Sequence, residues 1–114
     1  MPEASKGFSH RFIPYNGKIA DITHADLNKH TLDLAAVLGE TRKIIAVIVN
    51  AVLMVGAGNI YCYPNEGAFS LRFGDYQAYN QFVVIANGTQ RLQYALDTIN
   101  DDWDVYCFGY VVEA

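Results

Sequence analysis

The stretch WDVYCFGYVV, Trp103 to Val112, decides the fold class. Residues two apart share a face of a strand, so Trp103, Val105, Cys107, Gly109 and Val111 line one side, and Asp104, Tyr106, Phe108, Tyr110 and Val112 line the other. Only Asp104 is charged. An antiparallel strand at the surface of a lone domain alternates apolar with polar residues, whereas this one asks for cover on both faces. We therefore expect Trp103, Val105 and Cys107 to enter the domain's own core. The face bearing Tyr106, Phe108 and Tyr110 is expected to be covered by another subunit or by an N-terminal arm.

Working upstream, RLQYAL, QFVVIA, AFSLRF and NIYCYPN are short strand-like runs separated by turn signals such as NGTQ and GAGN. RKIIAVIVNAVLMV is rich in Ile and Val and too long for one ordinary strand, so Asn50 is expected to mark a bulge or kink. A short helical turn fits DLAAVL, ended by Gly39. Before residue 31 the chain is polar, holds all three histidines, and carries Asn16-Gly17, the strongest short hairpin signal. The expected organisation is an N-terminal arm or hairpin over residues 1–30 and an all-β antiparallel sandwich of about seven or eight strands over 31–114.

A chain of 114 residues, 52% of them hydrophobic, has the size and apolar content of one domain with one modest core. A net charge of -4 without clustered Lys and Arg makes nucleic acid a poor partner. The longest apolar stretch, Ile44 to Val55, is too short for a helical membrane span, and MPEASKGFSH has no apolar core of signal-peptide length. A soluble protein without an export signal is expected.

Nothing in the chain specifies catalysis, and no cofactor is assigned. GAGN after an Ile/Val-rich strand lacks the third glycine and the helix of a dinucleotide fingerprint. His24 and Asp26 could act as a base and its orienting carboxylate, or could ligate a metal with His30, but their spacing fits no metal signature and a surface cluster is the simpler expectation. Asp97, Asp101, Asp102 and Asp104 could bind calcium, yet the run lacks the pattern of an EF-hand loop and reads as a solvated turn. Asn87-Gly88-Thr89 reads as a turn before it reads as a glycosylation acceptor. Cys62 and Cys107 are either buried reduced thiols or partners in a disulfide, within or between chains. The eight tyrosines leave three uses open, namely protein interface, sugar stacking and core packing. Tyr61, Tyr63, Asp75, Tyr76 and Tyr79 form the candidate ligand surface.

TLDLAAVLGETRKIIAVIVNAVLM, YPNEG, RLQYAL and the closing V-Y-x-x-G-Y strand at Val105 to Tyr110 follow one another in an order that resembles the small jelly-roll modules of tailed-bacteriophage virions. The resemblance covers roughly residues 31 to 112; LGETRK lacks the proline of the corresponding turn, and the N-terminal stretch is additional. Such modules serve as head decoration proteins, head fibres and tail appendages. The resemblance implies a jelly-roll sandwich and a virion structural protein, most simply a capsid decoration or accessory protein made in the host cytoplasm. It would bind an assembled lattice, the major capsid protein for example, as a homo-oligomer such as a trimer. Phe8, Phe12, Ile13 and Tyr15 are the expected anchors of an arm reaching a neighbour, beside the Tyr106, Phe108 and Tyr110 face. A carbohydrate- or receptor-binding module of a tail or fibre is the alternative, with glycans as ligands. A cupin-type enzyme would need histidines on core strands, and all three here precede the predicted core.

Overall fold

In a computed structural model the described residues are 9–63, 71–74, 80–84 and 90–113, with 71–74 and 80–84 described by their backbone. The chain is mostly β. Its strands are β1 (His10–Ile22), β2 (His30–Asp33), β3 (Ile44–Val55), β4 (Ile60–Tyr63), β5 (Leu71–Gly74), β6 (Asn80–Val84), β7 (Arg91–Leu96) and β8 (Asp102–Glu113), with one short helix, α1 (Leu34–Leu38), between β2 and β3. Two antiparallel sheets result, with strand orders β1-β8-β3-β6 and β2-β7-β4-β5.

Both sheets contribute to one core. Ile19, Ile22, Val47, Val49, Ala51, Trp103, Val105 and Cys107 come from the first sheet, and Leu32, Ile60, Cys62, Leu92, Tyr94 and Leu96 from the second. Leu34 and Leu38 of α1 join them. The helix forms where expected because Asp33 caps it, accepting from the Ala36 N–H at 3.3 Å, and because Gly39 takes the left-handed conformation that closes it.

Trp103, Val105 and Cys107 are fully buried, as their alternation predicts. The alternation then breaks. On β3, adjacent residues Ile48 and Val49 pair with Gly109 and Cys107, so Phe108 is an extra residue on β8. Such a bulge moves the strand's phase by one residue. Phe108 remains 39% exposed, while Tyr110 and Val112 turn into the core with Cys107. The expectation that Tyr110 shares an outer face with Tyr106 and Phe108 is corrected on this ground.

Two further corrections concern long strands. Asn16-Gly17 makes no hairpin, because β1 runs through it as one strand paired along its length with β8 and absorbs the Asn-Gly as an irregularity between Pro14 and Gly17. Residues 10–22 are thus a strand of the first sheet, with Ile19 and Ile22 in the core. Asn50 marks no kink; it pairs in regular register with Tyr106 and Asn80, and the irregularities of β3 lie at Ile44/Ala46, Ile48/Val49 and Leu53/Val55.

Gly109 adopts φ +150°, and a Cβ there would run into the ring of Phe12. Gly109→Ala combines backbone strain with that collision, so a loss of about 1–3 kcal/mol is expected. Urea unfolding should show it as a lowered midpoint with an unchanged slope.

Candidate functional site

Cross-strand pairing assigns the outer face of the first sheet. Phe12 pairs with Val111, Lys18 with Tyr106 and Asp21 with Asp104 between β1 and β8; Ile48 pairs with Gly109, Asn50 with Tyr106 and Val52 with Asp104 between β3 and β8. The inner partners of these rows are buried, so Phe12, Ile48, Val52, Tyr106, Phe108 and Val111 point outward. Phe12 is 50% exposed and lies against Gly109, beside the bulged Phe108. The sheet therefore has an apolar outer surface towards the Phe12 and Phe108 end.

Its other end is charged. Lys18 Nζ lies 3.9 Å from Asp21 and 3.7 Å from Asp104. Carboxylate oxygens of Asp21, Asp102 and Asp104 fall within 4.8 Å of one another. The Asp102 carboxyl is pushed above the ordinary carboxylate range, chiefly by its hydrogen bond with Asp21 and then by burial and the neighbouring negative charges, with Lys18 opposing. These side chains present a charged rim to the apolar surface.

Tyr110, turned inward by the bulge, needs a polar partner for its hydroxyl and donates to Glu40 Oε1 at 2.9 Å. The Glu40 side chain, only 6% exposed, also accepts from Arg42 Nε at 2.9 Å, Arg42 Nη2 at 3.1 Å, and the backbone N–H groups of Thr41 and Arg42. The Arg42 guanidinium, its backbone N–H and the Tyr110 hydroxyl hold the Glu40 carboxyl down at about 2 against its burial. Burial, then Glu40, pushes the Tyr110 phenol up to about 12. LGETRK carried no sign of this in the sequence beyond an acid two residues before an arginine; its partner lies 70 residues away.

The acidic segment expected as a solvated turn is divided between two tasks. Asp97 accepts from the Asn59 backbone N–H at 2.7 Å, from Asn59 Nδ2 at 3.0 Å and from Thr98 Oγ1 at 3.0 Å, while the buried Asp101 accepts from the Gly58 N–H at 2.8 Å. A Cβ on Gly56 or Gly58 would collide with these carboxylates, which gives the glycines of GAGN a packing reason. Asp102 and Asp104 belong to the outer face, so the four aspartates do not form one site.

The remaining predicted residues are scattered. Ile13 and Tyr15, each half-buried, pack against the chain's own core, with the Tyr15 ring 6.3 Å from that of Tyr110. Phe8, Asp75, Tyr76 and Tyr79 lie outside the described residues, as does Asn87-Gly88-Thr89. Tyr61 and Tyr63 are half-buried on β4, and Lys29 Nζ sits 4.2 Å from the centre of the Tyr63 ring. Cys62 and Cys107 are free, fully buried thiols in opposite sheets. Burial pushes the Cys62 thiol up to about 12 and raises that of Cys107, so neither is poised to exchange. His24, Asp26 and His30 do come together, with Tyr94 as a fourth member: the imidazoles stack at 3.5 Å, His24 Nε2 is 3.0 Å from the Tyr94 hydroxyl, and His30 Nε2 is 2.7 Å from Asp26 Oδ1.

No protein-family model, curated protein or solved structure matches this chain. Among the described residues no helix is long and apolar enough to cross a membrane, which says nothing of a β-barrel.

Because the Glu40 carboxyl is held below its unfolded value, its stabilising contribution is complete above about 4.5 and is lost as pH falls towards about 2. Glu40→Gln should be less stable than the parent at neutral pH, with the difference shrinking across that window. Thermal unfolding of both proteins between pH 7 and pH 2.5 measures it, and a constant offset across the range would contradict the assignment.

Proposed function

We propose that the protein is a virion structural protein, a capsid decoration or accessory protein, that assembles as a homo-oligomer through the outer face of its first sheet. It would bind virion partners such as the major capsid protein. The observation that carries this reading is the apolar surface formed by Phe12, Ile48, Tyr106, Phe108 and Val111 on strands whose other face already fills the core. A solvated sheet face would place polar residues in most of these positions. The charged rim of Lys18, Asp21 and Asp104 matches the layout of an interface with a dry centre and a wet border.

The strand order supports a jelly-roll sandwich, the fold that the phage-module resemblance implies. In a jelly roll the first strand pairs with the last, and the second with the next to last, across two four-stranded sheets. The order β1-β8-β3-β6 against β2-β7-β4-β5 follows that rule. Association by the sheet face is favoured over association by its edge. On the edge strand β1, Pro14 removes a donor and the Pro14/Gly17 irregularity interrupts the ladder, both of which discourage a further strand. Burial of apolar area contributes about 25 cal/mol per Å², and many copies on a lattice multiply a modest contact. No chemical step is required.

Light scattering on the purified chain is the test. A trimer or other closed oligomer that survives reductant is expected, since both thiols are buried and unpaired. Phe108→Asp with Phe12→Ser should shift it to a folded monomer, the far-ultraviolet spectrum being unchanged. A parent that stays monomeric at all concentrations would defeat the oligomer reading, and saturable binding to a glycan by that monomer would favour the carbohydrate alternative.

A further inference from the structure

We propose that His24, His30 and Asp26 form a pH-operated latch that holds the β1–β2 connection, residues 23–29, over one end of the core and releases it in mildly acidic solution. The proposal is independent of the oligomer reading. It rests on how that connection is attached. Thr23, Ala25, Leu27, Asn28 and Lys29 are exposed, Leu27 by 55%, so the segment has no buried apolar anchor of its own. Polar and ring contacts attach it instead.

His30 opens β2 and stands opposite Tyr94 of β7, whose own ring is buried beside Leu92 and Leu96 in the shared core. The His24 imidazole lies flat on that of His30, with ring centres 3.5 Å apart and planes within 4°, and its Nε2 meets the Tyr94 hydroxyl at 3.0 Å. The backbone carbonyl of His24 accepts from the Asn100 N–H at 2.8 Å, which ties the connection to the β7–β8 turn. Asp26 Oδ1 accepts from His30 Nε2 at 2.7 Å and from the Asn28 N–H at 3.0 Å. One stack and three hydrogen-bonded links therefore join this segment to β2, β7 and the turn before β8.

Such a stack tolerates one proton and not two. Among the described residues, the titratable groups bonded to it or stacked on it are Asp26 from the connection, His30 from β2 and Tyr94 from β7, while Lys29 of the connection lies over the Tyr63 ring of β4. Asp26 supplies the one carboxylate among them, and it is bonded to His30. A proton on His24 would sit against a second imidazole whose ring centre lies 3.5 Å away. Consistent with this, burial first and then His30 lower the pKa of His24, against the pull of Asp26. The sign follows for a base whose folded-state pKa is depressed: its contribution is complete above the unfolded value of about 6.5 and is lost as pH falls through the lowered folded value. Opening the latch relieves the repulsion and exposes the Tyr94 hydroxyl to water.

Amide hydrogen exchange and imidazole proton shifts, followed by NMR on the full chain from pH 8 to pH 5, test the latch. His24 should titrate below 6.5, and over that transition the Asn100 amide, which reports the His24 carbonyl bond, should lose protection at least about tenfold beyond the intrinsic pH dependence of exchange. Amides of β3 and β8 should keep theirs. His24→Phe, which retains a flat ring and cannot take a proton, should make Asn100 protection independent of pH over this range. Should that variant not fold, His30→Gln removes the second imidazole and should abolish the pH-dependent loss. Persistence of the same loss in either variant, or full Asn100 protection in the parent while His24 titrates, would overturn the proposal.

Discussion

One extra residue on the last strand sets the layout of this molecule. Phe108 has no counterpart on β3, so β8 changes phase there, and everything after it faces the opposite way from what strict alternation requires. Had the phase been kept, the Tyr110 and Val112 side chains would leave the core and Val111 would enter it. The shift places Tyr110 within reach of Glu40, and Glu40 in turn gathers Arg42 and the backbone of the turn before β3. It also leaves Phe108 and Gly109 together on the outside, where Gly109 makes room for the Phe12 ring. The inner anchor and the outer apolar surface are thus two results of one irregularity.

Carboxylates do similar work at the connections. Asp33 caps α1, Glu40 holds the turn before β3, Asp97 and Asp101 hold the turn before β4, and Asp26 holds His30 at the entry to β2. Each accepts from at least one backbone N–H, within its own turn for Asp26 and Glu40 and from a segment distant in sequence for Asp97 and Asp101. A net negative chain whose acids are spent this way has less free charge for recognition than its composition suggests. Among the described residues, charge beside the apolar surface includes the Lys18, Asp21 and Asp104 rim at one end and the Lys43–Glu113 pair at the other.

Much of the fold was legible from local pattern. The strand runs, the helical turn at DLAAVL with its Gly39 stop, and the inner set Trp103, Val105 and Cys107 follow from periods and cap residues that act over a few positions. What was not legible depends on partners distant in sequence. Asn16-Gly17 has the chemistry of a hairpin, but pairing with β8 along thirteen residues outweighs a two-residue preference. The bulge at Phe108 is decided by register against β3, some sixty residues away, and the only local hint was Gly109. His24 and His30 looked like chance members of a polar stretch because Tyr94, which orders them, enters from the other end of the chain.

The β1 edge and the face of the first sheet carry opposite instructions. Along β1, Pro14 and the break in register oppose the addition of another strand, and the exposed Lys18 adds a charge at the same edge. Across β1, β8 and β3, by contrast, the described outward residues Phe12, Ile48, Phe108 and Val111 are all uncharged. A guarded β1 edge beside an apolar face fits the proposed assembly, because a contact made by packing side chains on a fixed sheet has defined geometry and no open-ended strand exchange.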